Sequence, residues 1–171
     1  MRKSELALSD YGAFYQPYID ALGDVELMDI HQRQLQNFPK FIESIPDTKL
    51  NYAYDEGKWT VAEVLIHLID AERVFQYRAL RFSRGDLTPL RGFEQDDYVP
   101  HSNAGRRSKE SITEEYKAVR KSTIALFSNF DRQTLQRKGV ASNAKMSVAA
   151  LGFIISGHQK HHRNIIRERY L

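Results

Sequence analysis

Cysteine is absent from the 171 residues of this chain. That excludes disulfides, Cys-ligated zinc and a thiol nucleophile carried by the protein. The lack of Cys suits a reducing cytoplasm, where we place the protein. Long apolar runs are also missing, and no stretch is long enough to span a bilayer. Met1-Arg2-Lys3-Ser4 leads into Glu5 and Asp10 and shows no secretory pattern. An excess of one charge is lacking too. The formal net charge is only +3, with acids and bases interspersed, so neither nucleic acid nor membrane is expected as a partner. Proline and glycine are sparse, at 5 and 9. No repeat, low-complexity tract or domain boundary is visible, so residues 1–171 read as a single domain.

What remains is helical periodicity, without a strand pattern. A first helix is expected from about Asp24 to Ser44, with Leu27, Met28, His31, Leu35, Phe38, Phe41 and Ile42 at three- and four-residue steps and Pro46 as its stop. A second runs from Thr60 to Ser83. It opens on Thr60-Val61-Ala62-Glu63, where hydroxyl and carboxylate can each satisfy an orphan N–H, and Gly85 beyond its end serves as the stop. A third begins near Ser111, in a similar Ser111-Ile112-Thr113-Glu114 box, and ends near Asn129. A fourth starts at the N-cap Ser147 and reaches the C-terminus. Tyr11, Phe14, Tyr15, Tyr18 and Ile19 suggest a short packing helix upstream. The connections Arg84–Glu110 and Asp131–Met146 are long enough to be functional. Helices of about 20 residues are each about 30 Å long and bury their stripes by packing side by side. The expected fold is all-α, a four-helix bundle.

Six histidines are present. His158 and His162 are one turn apart, in line with Leu151, Ile155 and Ile165, and so face inward. Two inward imidazoles on one face can share a metal ion. His67, beside Val64 and Ala71 on the second helix, is the third candidate ligand. Three histidines leave a coordination position open, as catalytic sites do. The plain alternative is a hydrogen-bonded core pair. His161 reads as a neighbour or a surface residue, and His31 and His101 as ordinary histidines. Gln159 stands where a zinc-protease helix has its general-base Glu, and no Glu-x-x-His pair of the di-iron type exists. Asp70, three residues after His67, is a candidate base or orienting acceptor. A salt bridge to Arg73 or Arg78 is its other reading, and Glu72 is expected to pair with an Arg across the bundle. Trp59 reads as a staple or core anchor.

These pieces together resemble the DinB/YfiT-like family of metal-dependent enzymes. The resemblance rests on Glu56-Gly57-Lys58-Trp59-Thr60-Val61 and on His67-Leu68-Ile69-Asp70-Ala71-Glu72-Arg73. It continues through Tyr77-Arg78, Arg84-Gly85-Asp86, Gly92-Phe93-Glu94-Gln95-Asp96-Asp97-Tyr98, Gly157-His158 and His161-His162, and closes with Ile165-Ile166-Arg167-Glu168-Arg169-Tyr170. It implies an up-down-down-up bundle, a homodimer, and one divalent metal ion per chain on His67, His158 and His162. Zinc or nickel comes first, with copper and iron also suited to imidazole. Thiol S-transferases, isomerases and hydrolases all occur among such proteins.

The leading expectation is a transferase in which the metal activates a small-molecule thiol against an electrophilic substrate. Arg78, Arg81, Arg84 or Arg91 would bind the thiol's carboxylates, and Tyr98 would close over the site. Hydrolysis by metal-bound hydroxide, with Asp70, Glu94 or Asp96 as base, is the alternative. A bundle that binds metal or partner without turnover is the third.

Overall fold

The computed structural model describes residues 1–171. Its helices are α1 (Gln16–Asp20), α2 (Leu27–Ser44), α3 (Asp47–Leu50), α4 (Val61–Ser83), α5 (Gln95–Tyr98), α6 (Lys109–Phe127), α7 (Arg132–Leu135) and α8 (Val148–Ile165). Two short strands, β1 (Lys138–Ala141) and β2 (Ala144–Ser147), form an antiparallel hairpin. No helix is long and apolar enough to cross a membrane.

Caps fix where the long helices start. Thr60 and Glu63 close the expected box at the head of α4: Glu63 N–H donates to Thr60 Oγ1 at 3.3 Å, and Thr60 N–H to Glu63 Oε2 at 2.7 Å. Ser147 accepts the Ala150 N–H at 3.1 Å and opens α8. Two expected starts shift. Glu26 rather than Asp24 caps α2, and Ser108 rather than Ser111 caps α6. Asp24 is taken up instead by Arg2 at 2.8 Å. The last residues, Ile166–Tyr170, wind into a π-turn rather than continuing α8, and Tyr170 Oη donates to Trp59 O at 2.8 Å.

Around the bundle the order is α2, α6, α4, α8, so the consecutive pair α2 and α4 lies on a diagonal. Side-chain pairs give the directions. Glu72 meets Arg120 and Gln76 meets Ser122, so α4 and α6 run parallel. Lys109 at the head of α6 reaches the Ile45 carbonyl just past the end of α2 at 2.8 Å, so those two are antiparallel. Gln34 of α2 donates to Ser156 O while Arg167 lies over Phe41, which sets α2 parallel to α8. The result is up-down-down-up.

Two apolar clusters fill the interior, one built on Leu27, Phe75, Phe82, Phe127 and Leu151, the other on Phe38, Ile42, Leu65, Ile112 and Ile166. Between them lies a polar layer drawn from all four long helices. Arg120, wholly buried, forks onto Glu72 at 2.7 and 2.8 Å and also donates to Gln34 Oε1 and Gln159 Oε1. Thr123 and Tyr116 complete the layer through Glu72 and Gln159. Glu72 thus pairs across the bundle as expected.

The hairpin is the element the periodicity did not foretell. Its turn, Ser142-Asn143, has positive φ at both residues (50° and 59°), as a two-residue turn of the tight hairpin kind demands. The loop after α4 docks on it: Leu90 N–H donates to Val140 O at 2.9 Å, and Ser142 N–H donates to Leu90 O at 3.1 Å. Gly139 lets β1 lie flat on Phe82, whose ring would sit 2.2 Å from any Cβ there.

Candidate metal centre

Antiparallel packing of α4 against α8 brings His67 opposite His158 and His162. The His67 and His158 Nε2 atoms are 3.1 Å apart, and those of His162 and His158 are 3.0 Å apart. The ligand atoms of all three lie within 4.8 Å of one another. Around a four-coordinate ion with metal–nitrogen bonds near 2.0–2.1 Å, ligand nitrogens stand about 3.3 Å apart. His67 and His158 are buried, and His162 is nearly so.

Burial holds these rings neutral. It lowers His67 to about 4 and His162 to about 3, and takes His158 well below its ordinary value. The neighbouring imidazoles add to the effect on His158 and His162. Neutral imidazoles present lone pairs, which is the form that ligates metals. Three lone-pair nitrogens aimed at one point satisfy each other poorly, since each neutral ring has one N–H to offer. A cation at that point satisfies all three, so the residues fit a metal ion.

Aromatic rings hold the imidazoles in place. Trp59 packs on His67 with centroids 4.9 Å apart, and Tyr18 meets His158 edge-on at 5.1 Å. Tyr18 reaches that position because Gly157 has no side chain; a Cβ there would lie 2.0 Å from the Tyr18 carbonyl oxygen. His161 meets Tyr18 and His162 edge-on, a neighbour of the site rather than part of the convergent group. His31 is fully buried away from the site and His101 is exposed at the end of a short 3-10 helix, Val99–His101.

A cleft of about 400 Å³ opens onto His67 and His158. One wall is the α4 stripe His67, Ala71, Phe75 and Arg78, a four-four-three progression on one face. The loop adds Phe93 and Glu94, and the hairpin adds Ser142 and Ala144.

The other expected residues fall as follows. Asp70 makes no hydrogen bond to any of the three rings. It lies 3.5 Å from Arg73, in keeping with its salt-bridge reading. Tyr98 does not close over the cleft: it is exposed and lines a smaller recess with His67 and Asp70, while Phe93 occupies the cleft itself. Of the four arginines, Arg81 pairs with Asp86, Arg84 and Arg91 are exposed, and Arg78 alone lines the cleft. Ser142 and Tyr18 were not singled out from sequence. The paired turn-formers Ser142-Asn143 were the available signal for the first; for the second there was none beyond helical spacing.

Fold and site together define a helical bundle with three histidines in metal-ligand geometry. The chain belongs to the DinB superfamily, which residues 30–166 match. It is 22% identical over 146 residues to a protein of Oceanobacillus iheyensis named as a putative metal-dependent hydrolase, covering 81% of this chain and 83% of that one. Its fold is similar to that of YfiT from Bacillus subtilis, described as a probable metal-dependent hydrolase of unusual four-helix bundle topology. That similarity has a TM-score of 0.74 at 17% identity and covers 83% of this chain and 82% of the other.

Proposed function

We propose that this protein is a metal-dependent hydrolase whose ion is held by His67, His158 and His162. The observation that carries the reading is the convergence of three neutral imidazoles, two of which, His67 and His158, are buried and line a cleft. A divalent ion there would supply Lewis acidity and bring the pKa of a bound water near neutrality. The chain's own contribution is threefold. The histidines stay deprotonated at neutral pH because they are buried. Phe75, Phe93 and Tyr15 make the cleft wall apolar and limit water around the reacting bond. Glu94, exposed at the same cleft and the one carboxylate that lines it, is the candidate to accept a proton from a water there. The names of the relatives point the same way.

Thiol transfer is the second reading. It is favoured by the lack of any carboxylate hydrogen-bonded to the histidines, since a thiol on the metal ionises without a strong base. Purified protein loaded with zinc or nickel, assayed on ester, amide and thioester panels, separates the two. Turnover without thiol, lost in His158→Ala together with the metal measured by elemental analysis, supports hydrolysis. Turnover only when a low-molecular-weight thiol is supplied overturns it in favour of transfer.

A further inference from the structure

Arg78 stands three helical turns from His67 on the same stripe of α4 and lines the same cleft. It is 2% exposed, yet no acidic side chain pairs with it. Its Nη2 donates to Ser142 Oγ at 2.8 Å and, at 3.4 Å, to the Arg91 carbonyl; the rest of the guanidinium has no protein acceptor. A buried cation is costly unless paired. The contrast with Arg120 is direct, because that equally buried arginine has Glu72, Gln34 and Gln159 around it. The other charged group in the cleft, Glu94, forms no ion pair with Arg78. Its carboxylate caps α5, accepting the Asp96 N–H at 3.5 Å.

The surroundings are built to present this cation. Phe75 and Phe93 flank it, with ring centroids 5.7 and 6.0 Å from Cζ. Ser142 is held at φ 50° in the hairpin turn, a conformation a serine adopts at some cost. Gly92 passes against it so closely that a Cβ there would lie 3.3 Å from Ser142 Oγ. Since Ser142 Oγ accepts from Arg78, its own O–H remains to be donated. Guanidinium fork and hydroxyl together match a planar, two-oxygen anion. From there to the histidines the wall is Phe75, whose centroid is 6.1 Å from that of His158.

We propose that Arg78 and Ser142 form a receptor for a substrate carboxylate, so that the substrate is a molecule with an apolar middle, a carboxylate at one end and its reacting bond at the histidines. The location of the reacting bond rests on the hydrolase reading; the carboxylate receptor does not.

Calorimetric titration of the zinc-loaded protein tests it, with dicarboxylates from succinate to suberate and fatty monocarboxylates of equal length. One dicarboxylate is expected to bind at least tenfold tighter than its monocarboxylate partner. Arg78→Gln should erase that difference and leave zinc content and monocarboxylate affinity unchanged. Arg78→Lys should retain part of it, and Ser142→Ala should reduce it several-fold. No dicarboxylate preference in the wild type, or a preference that survives Arg78→Gln, overturns the proposal. Should Arg78→Gln not fold, a preference left whole in Ser142→Ala overturns it equally. No bond is broken in these titrations. A protein without hydrolytic turnover but with an intact dicarboxylate preference would sink the hydrolase reading alone.

Discussion

At the scale of the residue, three buried histidines and the partly buried His162 shape how the metal-free protein responds to acid. His31, His67, His158 and His162 all have folded-state values below the ordinary 6.5, chiefly because burial penalises the cation. Between 6.5 and those lowered values the unfolded chain takes up protons that the folded chain refuses. Stability is therefore whole above about pH 6.5 and is lost as the pH falls toward the lowered values, about 4 for His67 and about 3 for His162. Urea melts of chelated protein should show a midpoint falling steadily from pH 7 to pH 4.5; a flat midpoint would contradict the burial of these rings. The three converging histidines were legible from sequence because a four-residue step fixes a shared face and the apolar neighbours say which way it points. Asp70 is legible only as an alternative: spacing puts it on nearly the face of His67 and three residues from Arg73, and the structure places it beside that arginine.

At the scale of the element, α1 shows how a short helix of little intrinsic stability can matter. It packs along α8 and carries Tyr18 to the histidines. Gly157→Ala places a methyl group 2.0 Å from the Tyr18 carbonyl, backbone that cannot rotate aside. We expect α1 to lift from α8, at about 1–3 kcal/mol of stability. Metal retention in competition with a chelator should fall as well; unchanged thermal and chelation midpoints would show that α1 is dispensable. The long helices were readable from capping residues and three-four steps. The hairpin was not, since four-residue strands between turn-formers give too few positions for alternation to show. It is also the element that carries Ser142 to Arg78, so the cleft was only half visible from sequence.

At the scale of the whole molecule, the polar layer specifies how the four long helices are rotated against one another. Arg120 finds its acceptors only if α2, α4 and α8 each present one particular face. Glu72→Ala leaves that cation buried without its counter-ion and should cost about 3–5 kcal/mol, read as a drop in the urea midpoint with the helical signal retained before the transition. A cost below about 1 kcal/mol would show that the layer is incidental. An ion bound only by the folded state should raise the melting temperature, by about 2.7 kcal/mol of stability at a concentration one hundred times its dissociation constant. Chelation should reverse this in wild type and do nothing in His162→Ala.

The ligands are far apart in the chain, His67 in the second long helix and the other two in the last. A nascent polypeptide emerging from the ribosome therefore offers only one of the three ligand imidazoles for most of its synthesis. The complete site therefore exists only once the last helix has been made and packed against the second, and its ion has to be won at that late stage from whatever else competes for it.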